Sequence, residues 1–153
     1  MLMAGKFLQG GALLLALLCP ALAQADDWLG RYALLPNERM QQVYDDNGEP
    51  AALLTVVKLG KDYGLVSAQL GWSEPVPAKL ETSGQALRDW LGGDAKGVKS
   101  QALVAEGMAL LRLPKGSVLE AGNGRRHQLR GEYLFLMPAA GMDLELEKKP
   151  ATP

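Results

Sequence analysis

Apolar and polar positions alternate in short runs along most of the chain, and each run ends at a break containing Gly, Pro or Asn. That rhythm predicts antiparallel strands joined by tight turns. Residues 28–35 read as a first strand closed by Pro36 and Asn37, and 40–44 as a short second one before the turn Asp45-Asp46-Asn47-Gly48. The clearest hairpin sets 52–59 against 63–70 across Gly60-Lys61-Asp62.

The stretch 72–77 holds Pro75 and Pro77, and each proline removes a ladder donor, so it is expected to be an edge or a loop. Thr82-Ser83-Gly84-Gln85 then fits a capping box, with the Thr82 hydroxyl accepting from the Gln85 backbone and the Gln85 side chain reaching back. Leu87, Trp90 and Leu91 follow at helical spacing, and Gly92 stands where a helix would stop, so one short helix is predicted over 83–91. Strands resume at 98–105, 108–113, 118–121, 126–129, 132–137 and 143–147. Eight or nine strands at this spacing predict a mainly β domain, an antiparallel meander closing into a small barrel or sandwich, because an open sheet of that size would leave bare edges.

The first 25 residues have a different character. Lys6, the apolar run 12–18, Pro20 and the small-residue patterns Ala21-Leu22-Ala23 and Ala23-Gln24-Ala25 compose a cleavable signal peptide. Seven consecutive apolar residues are far fewer than the roughly 20 that span a bilayer, so no membrane span is expected. Cys19 follows the bulky Leu18, which disfavours lipidation at that cysteine. The domain layout is therefore a leader, 1–25, and one β-rich domain, 26–153, with a short flexible C-terminal tail.

Removing the leader also removes the only cysteine, so the mature domain is cysteine-free, without disulfides, thiol nucleophiles or thiolate metal sites. It carries 15 Lys and Arg against 17 Asp and Glu, a net charge of −2 that argues against nucleic acid as a partner. Export together with this composition points to the bacterial periplasm, with outright secretion as the alternative.

Two segments look alike. Gly30-Arg31-Tyr32 opens the first strand and Gly131-Glu132-Tyr133 opens a late one; a closed sheet would make them neighbouring strands with both tyrosines on one face. Trp28-Leu29-Gly30-Arg31-Tyr32, the meander, and Gly131-Glu132-Tyr133 followed by a final strand resemble the small lipocalin-like barrels exported by bacteria. The resemblance implies a lipocalin-like barrel and, since several such proteins are periplasmic inhibitors or immunity proteins, a non-enzymatic partner-binding role.

Candidate chemistry is sparse. His127 is the only imidazole and has no carboxylate beside it in sequence, and no Gly-x-Ser-x-Gly elbow surrounds any serine, so no catalytic residue is assigned and no enzymatic activity is expected. With one His and no Cys, only oxygen ligands remain for a metal, and Asp45-Asp46-Asn47-Gly48-Glu49 departs from a calcium loop; it reads as a solvated turn. No cofactor is implied. The dense basic cluster Arg125, Arg126 and His127 beside Gly122-Asn123-Gly124 is expected at a loop tip, where guanidinium groups can grip carboxylates, and Trp72 beside its prolines is a second interface anchor.

The leading expectation is thus an inhibitor or immunity-type protein that occludes a periplasmic or envelope enzyme through Trp72, Arg125, Arg126 and His127. The competing one is a periplasmic carrier whose barrel encloses a small apolar ligand among Leu54, Val56, Leu65, Leu110, Phe135 and Leu136. A third, an accessory factor in envelope assembly, has no residue to distinguish it.

Overall fold

The structure, a computed structural model, describes residues 27–36, 40–92, 97–120 and 126–150. The expected leader, Cys19, Arg125 and the last three residues of the expected tail lie outside them. The described residues form ten strands: β1 (Gly30–Leu34), β2 (Ala52–Leu59), β3 (Asp62–Val66), β4 (Val76–Glu81), β5 (Gln101–Ala105), β6 (Met108–Arg112), β7 (Val118–Glu120), β8 (Arg126–Gln128), β9 (Tyr133–Met137) and β10 (Met142–Lys148). Among the described residues one α-helix, α1 (Gln85–Leu91), follows β4, and a single 3₁₀ turn (Pro138–Ala140) precedes β10.

Eight of these strands close into an antiparallel barrel in the order β1-β2-β3-β4-β5-β6-β9-β10 and back to β1. The barrel removes every long sheet edge, which decides between the two expected architectures in favour of closure and is compatible with a lipocalin-like fold. β7 and β8 form a separate two-stranded hairpin inserted between β6 and β9. No helix among the described residues is long and apolar enough to cross a membrane.

Strand register shows which residues face inward. Leu103 pairs with Leu110, Leu110 with Phe135, and Phe135 with Leu144, so these four share the inner face of β5, β6, β9 and β10. Tyr32, Leu54, Val56 and Leu65 continue that layer around β1, β2 and β3. Their odd-even neighbours face outward, as period-two geometry requires.

On one side the outside of the barrel is itself buried. Ala102, Ala109, Leu111, Leu134 and Leu136 point away from the interior and pack beneath Leu87 and Leu91 of α1 and Leu119 and Leu129 around the hairpin. This second core explains why β9 reads Tyr-Leu-Phe-Leu-Met without alternation: both of its faces are covered. Each fully buried leucine there contributes roughly 1.5–3 kcal/mol, enough to hold α1 and the hairpin on the barrel wall.

Several local expectations are corrected. Residues 40–44 make only an isolated bridge, Tyr44 to Pro50, and the Gln42 side chain donates to Leu34 O at the end of β1. Pro77 lies inside β4 rather than in a loop. It pairs with Gly64 on one side, while pairing with β5 begins only at Ala78, so no β5 carbonyl waits for its missing N–H. The helix starts at Gln85, not 83, and the Thr82 capping box does not form. Gly84 adopts a left-handed turn at the N-cap, and the Glu81 carboxylate accepts from the Gln85 and Ala86 backbones at 3.2 and 3.4 Å. Gln85 instead donates to Asp89 at 2.6 Å.

Candidate functional site

The barrel has two unlike ends. At the entry end lie Asp27–Leu29, the turn 60–61, the connection through α1 and the excursion through the β7–β8 hairpin. At the far end lie 67–75, 106–107, 138–141 and the connection 35–51, whose first residues, Leu35 and Pro36, run beside Arg130 and Gly131. The strand directions assign these positions, since Gly30 sits opposite Val56 and Ala33 opposite Ala52.

The interior between the ends is filled. Tyr32, Leu54, Leu65, Leu110, Phe135 and Leu146 have 0% accessible surface, which leaves no void against any of them. Of the residues expected to line a ligand cavity, Leu54, Val56, Leu65, Leu110 and Phe135 are in this packed cluster. Leu136 is not: it faces outward into the second core under α1.

A strap closes the entry end. Trp28 is 3% exposed and turns into the barrel, its carbonyl accepting the Tyr32 hydroxyl at 2.7 Å. Asp27 is clamped twice, its carboxylate by Arg112 and its carbonyl by Lys148. Burial pushes the Tyr32 hydroxyl well above the ordinary tyrosine range, reinforced by the nearby Tyr133 and Asp27. Burial raises Tyr133 in the same direction. The hydrogen bond to Asp27 holds Arg112 more firmly charged than usual.

Outside this strap two grooves open, meeting at Glu132. One, about 720 Å³, is flanked by Arg88, Lys99 and Arg112 among Thr82, Ser83, Ser100 and Gln101. The other, about 450 Å³, is flanked by Lys115, Arg130 and Lys148 with Glu147. Arg88 is preorganised, donating to Ser83 O at 3.0 Å and Gln85 Oε1 at 2.9 Å. Six cations and two carboxylates line the grooves, and although Asp27 and Glu145 pair with Arg112 and Arg130, cations remain in excess on this face of an otherwise acidic domain.

The sequence-derived site residues do not form one patch. Arg126 and His127 are adjacent on β8, where Arg126 Nε pairs across the hairpin with Glu120 at 3.1 Å and remains exposed. His127 Nε2 lies 3.3 Å from Glu145 Oε2. Glu145, 2% exposed, also accepts from the Arg130 and Gly131 backbones at 2.7 and 3.3 Å, tying the hairpin's return segment to β10. Trp72 is at the other end, partly buried against the barrel core with Leu70. Arg88, Lys99, Arg112 and Lys115, scattered over four segments, carry no local motif; only the closure of the barrel brings them together.

The far end has the opposite character. Among the described residues its four connections carry Asp45, Asp46, Glu49, Glu74 and Glu106 and neither Lys nor Arg. Asp45 forms the expected turn, accepting from Asn47 and Glu49 at 2.9 and 3.0 Å, and these backbone donors hold its carboxyl below the usual range. No group of three or more His, Cys, Asp or Glu among the described residues is arranged to hold a metal ion. No protein-family model matches the chain, and no curated protein and no solved structure is measurably similar to it.

Proposed function

We propose that this protein is an exported, non-enzymatic binding protein that uses the basic entry end of its barrel to occlude an acidic site on a cell-envelope enzyme, as an inhibitor or immunity protein. The observation that carries the reading is the division of charge between the ends: cations flank both grooves at the entry end, while the charged residues described in the far-end connections are acids, with Lys149 reaching one of them, Asp45. Such a face steers an acidic partner and fixes its orientation. Arg126, 70% exposed, adds a cation on the hairpin that connects Lys115 to Arg130 along the chain.

The filled interior favours this reading over that of a carrier, since a ligand would have to displace side chains that already pack at 0% exposure. Capture from native periplasmic extract tests it, with the chain from Asp26 onward as bait and native mass spectrometry of the eluate. A stoichiometric acidic protein released by raised salt is the expected result. A bait that returns without protein but with a small added mass would transfer the function to ligand transport.

A further inference from the structure

All the methionines among the described residues, Met40, Met108, Met137 and Met142, pack at the far end of the barrel. Three of them form a row. Met142 is the direct cross-strand partner of Met137, and the register Ala109 to Leu136, carried one step on, sets Met108 opposite Met137. Successive members of such a row have Cβ atoms roughly 4.5–5.5 Å apart on one face, here the inner one. Each is only partly buried, so the row is reachable from solvent, and Met40 and Trp72 pack against the same core at that end.

We infer that the far end of the barrel binds a soft monovalent cation, Cu(I) or Ag(I), through the thioethers of Met108, Met137 and Met142. Thioether sulfur is a soft, neutral donor that selects such ions and needs no deprotonation. Three thioethers from neighbouring positions match their low coordination number, and the flexible methionine stems let the sulfurs turn toward one ion. The described connections of the rim hold five carboxylates, of which Asp45 is paired with Lys149 at 3.9 Å, so Asp46, Glu49, Glu74 and Glu106 are left to draw a cation in. The indole of Trp72 adds an aromatic face at that end. Counting only Cys and His as soft ligands overlooks this donor set.

The test is a titration of the full chain carrying Cys19→Ser, which removes the competing thiol, with Ag(I) and, anaerobically, with Cu(I) against a chromophoric chelator. The expected result is one ion per chain by native mass spectrometry, with shifts of the Met108, Met137 and Met142 methyl resonances and a change in tryptophan emission. Met137→Leu with Met142→Leu, which conserves volume and fold, lowers the affinity by at least about tenfold. His127→Ala leaves it unchanged. Absence of a bound ion, methyl resonances that stay in place, or binding lost with His127→Ala and retained in the leucine variant would each overturn the assignment.

Discussion

Tyr32 and Tyr133 meet edge to face inside the barrel, ring centroids 4.9 Å apart and planes at 76°, although their strands are not neighbours. β10 runs between β1 and β9, pairing Lys148 with Tyr32 and Leu146 with Tyr133. The two similar Gly-x-Tyr segments therefore do share a face, as expected, but across an intervening strand. Such a contact contributes about 0.5–1.5 kcal/mol beyond its buried area.

That pair sets an alkaline limit on stability. Tyr32 is raised by burial, so its contribution is complete below the unfolded tyrosine value near about pH 10 and is lost as pH rises further, where the unfolded chain ionises first. Tyr32→Phe loses the hydrogen bond to Trp28 O, a cost of about 1 kcal/mol near neutrality, and flattens the alkaline decline. Urea unfolding at about pH 8 and about pH 10.5 checks both effects; an unchanged slope would remove Tyr32 as its source.

Acid acts through Glu81. Burial alone would raise its carboxyl, but the Ser83 hydroxyl and the Gln85 and Ala86 backbones donate to it and hold it low. Its contribution is present above the ordinary glutamate value near about pH 4.3 and is lost as pH falls through the depressed value. Glu81→Gln weakens the start of α1 by about 0.5–1 kcal/mol, tempered by solvent, and reduces the loss on acidification. Stability curves between about pH 3 and about pH 7 read this directly.

Glu145 holds the hairpin. Glu145→Gln removes the charge facing Arg130 and His127 and costs about 1–3 kcal/mol, with faster amide exchange at Leu129, Arg130 and Gly131 and little change in β2 or β3. Uniformly faster exchange throughout the barrel would contradict this local role.

Gly64 is required for space rather than for its torsion. A Cβ there would stand 2.9 Å from the Pro75 Cβ and 3.2 Å from a Val57 methyl, and neither neighbour is the end of a flexible chain. Gly64→Ala is expected to cost about 1–3 kcal/mol through overpacking, measured by denaturant midpoint; a neutral result would show that the 67–75 loop yields freely.

Much of the barrel was legible because period-two patterning and turn residues act locally. The 52–59 strand, the turn at Gly60 and the strands around 108–113 and 132–137 came from that signal. Pro77 reads as a strand breaker yet lies inside β4, because a proline's cost depends on whether a partner strand faces its nitrogen, which sequence order does not reveal. The cap on α1 comes from Glu81, which reaches from the preceding strand to the Gln85 and Ala86 backbones, so the local Thr82 pattern does not decide it. The second core left a readable trace, the uninterrupted apolar run of β9, whose meaning depends on knowing that α1 and the hairpin cover it. Basic residues of the grooves and the methionine row are long-range products of closure, so single-segment motifs could not announce them.

The most direct measurement compares the affinity of the captured partner for the native chain and for a Lys99→Glu, Lys115→Glu double variant, chosen because both lysines border the grooves and neither pairs with a carboxylate of the described residues or belongs to the core. The charge-guided account predicts unchanged unfolding and at least about a tenfold loss of affinity, with the native affinity itself falling as salt is raised. Equal affinity for the two proteins, or binding indifferent to salt, would contradict recognition through the basic end of the barrel.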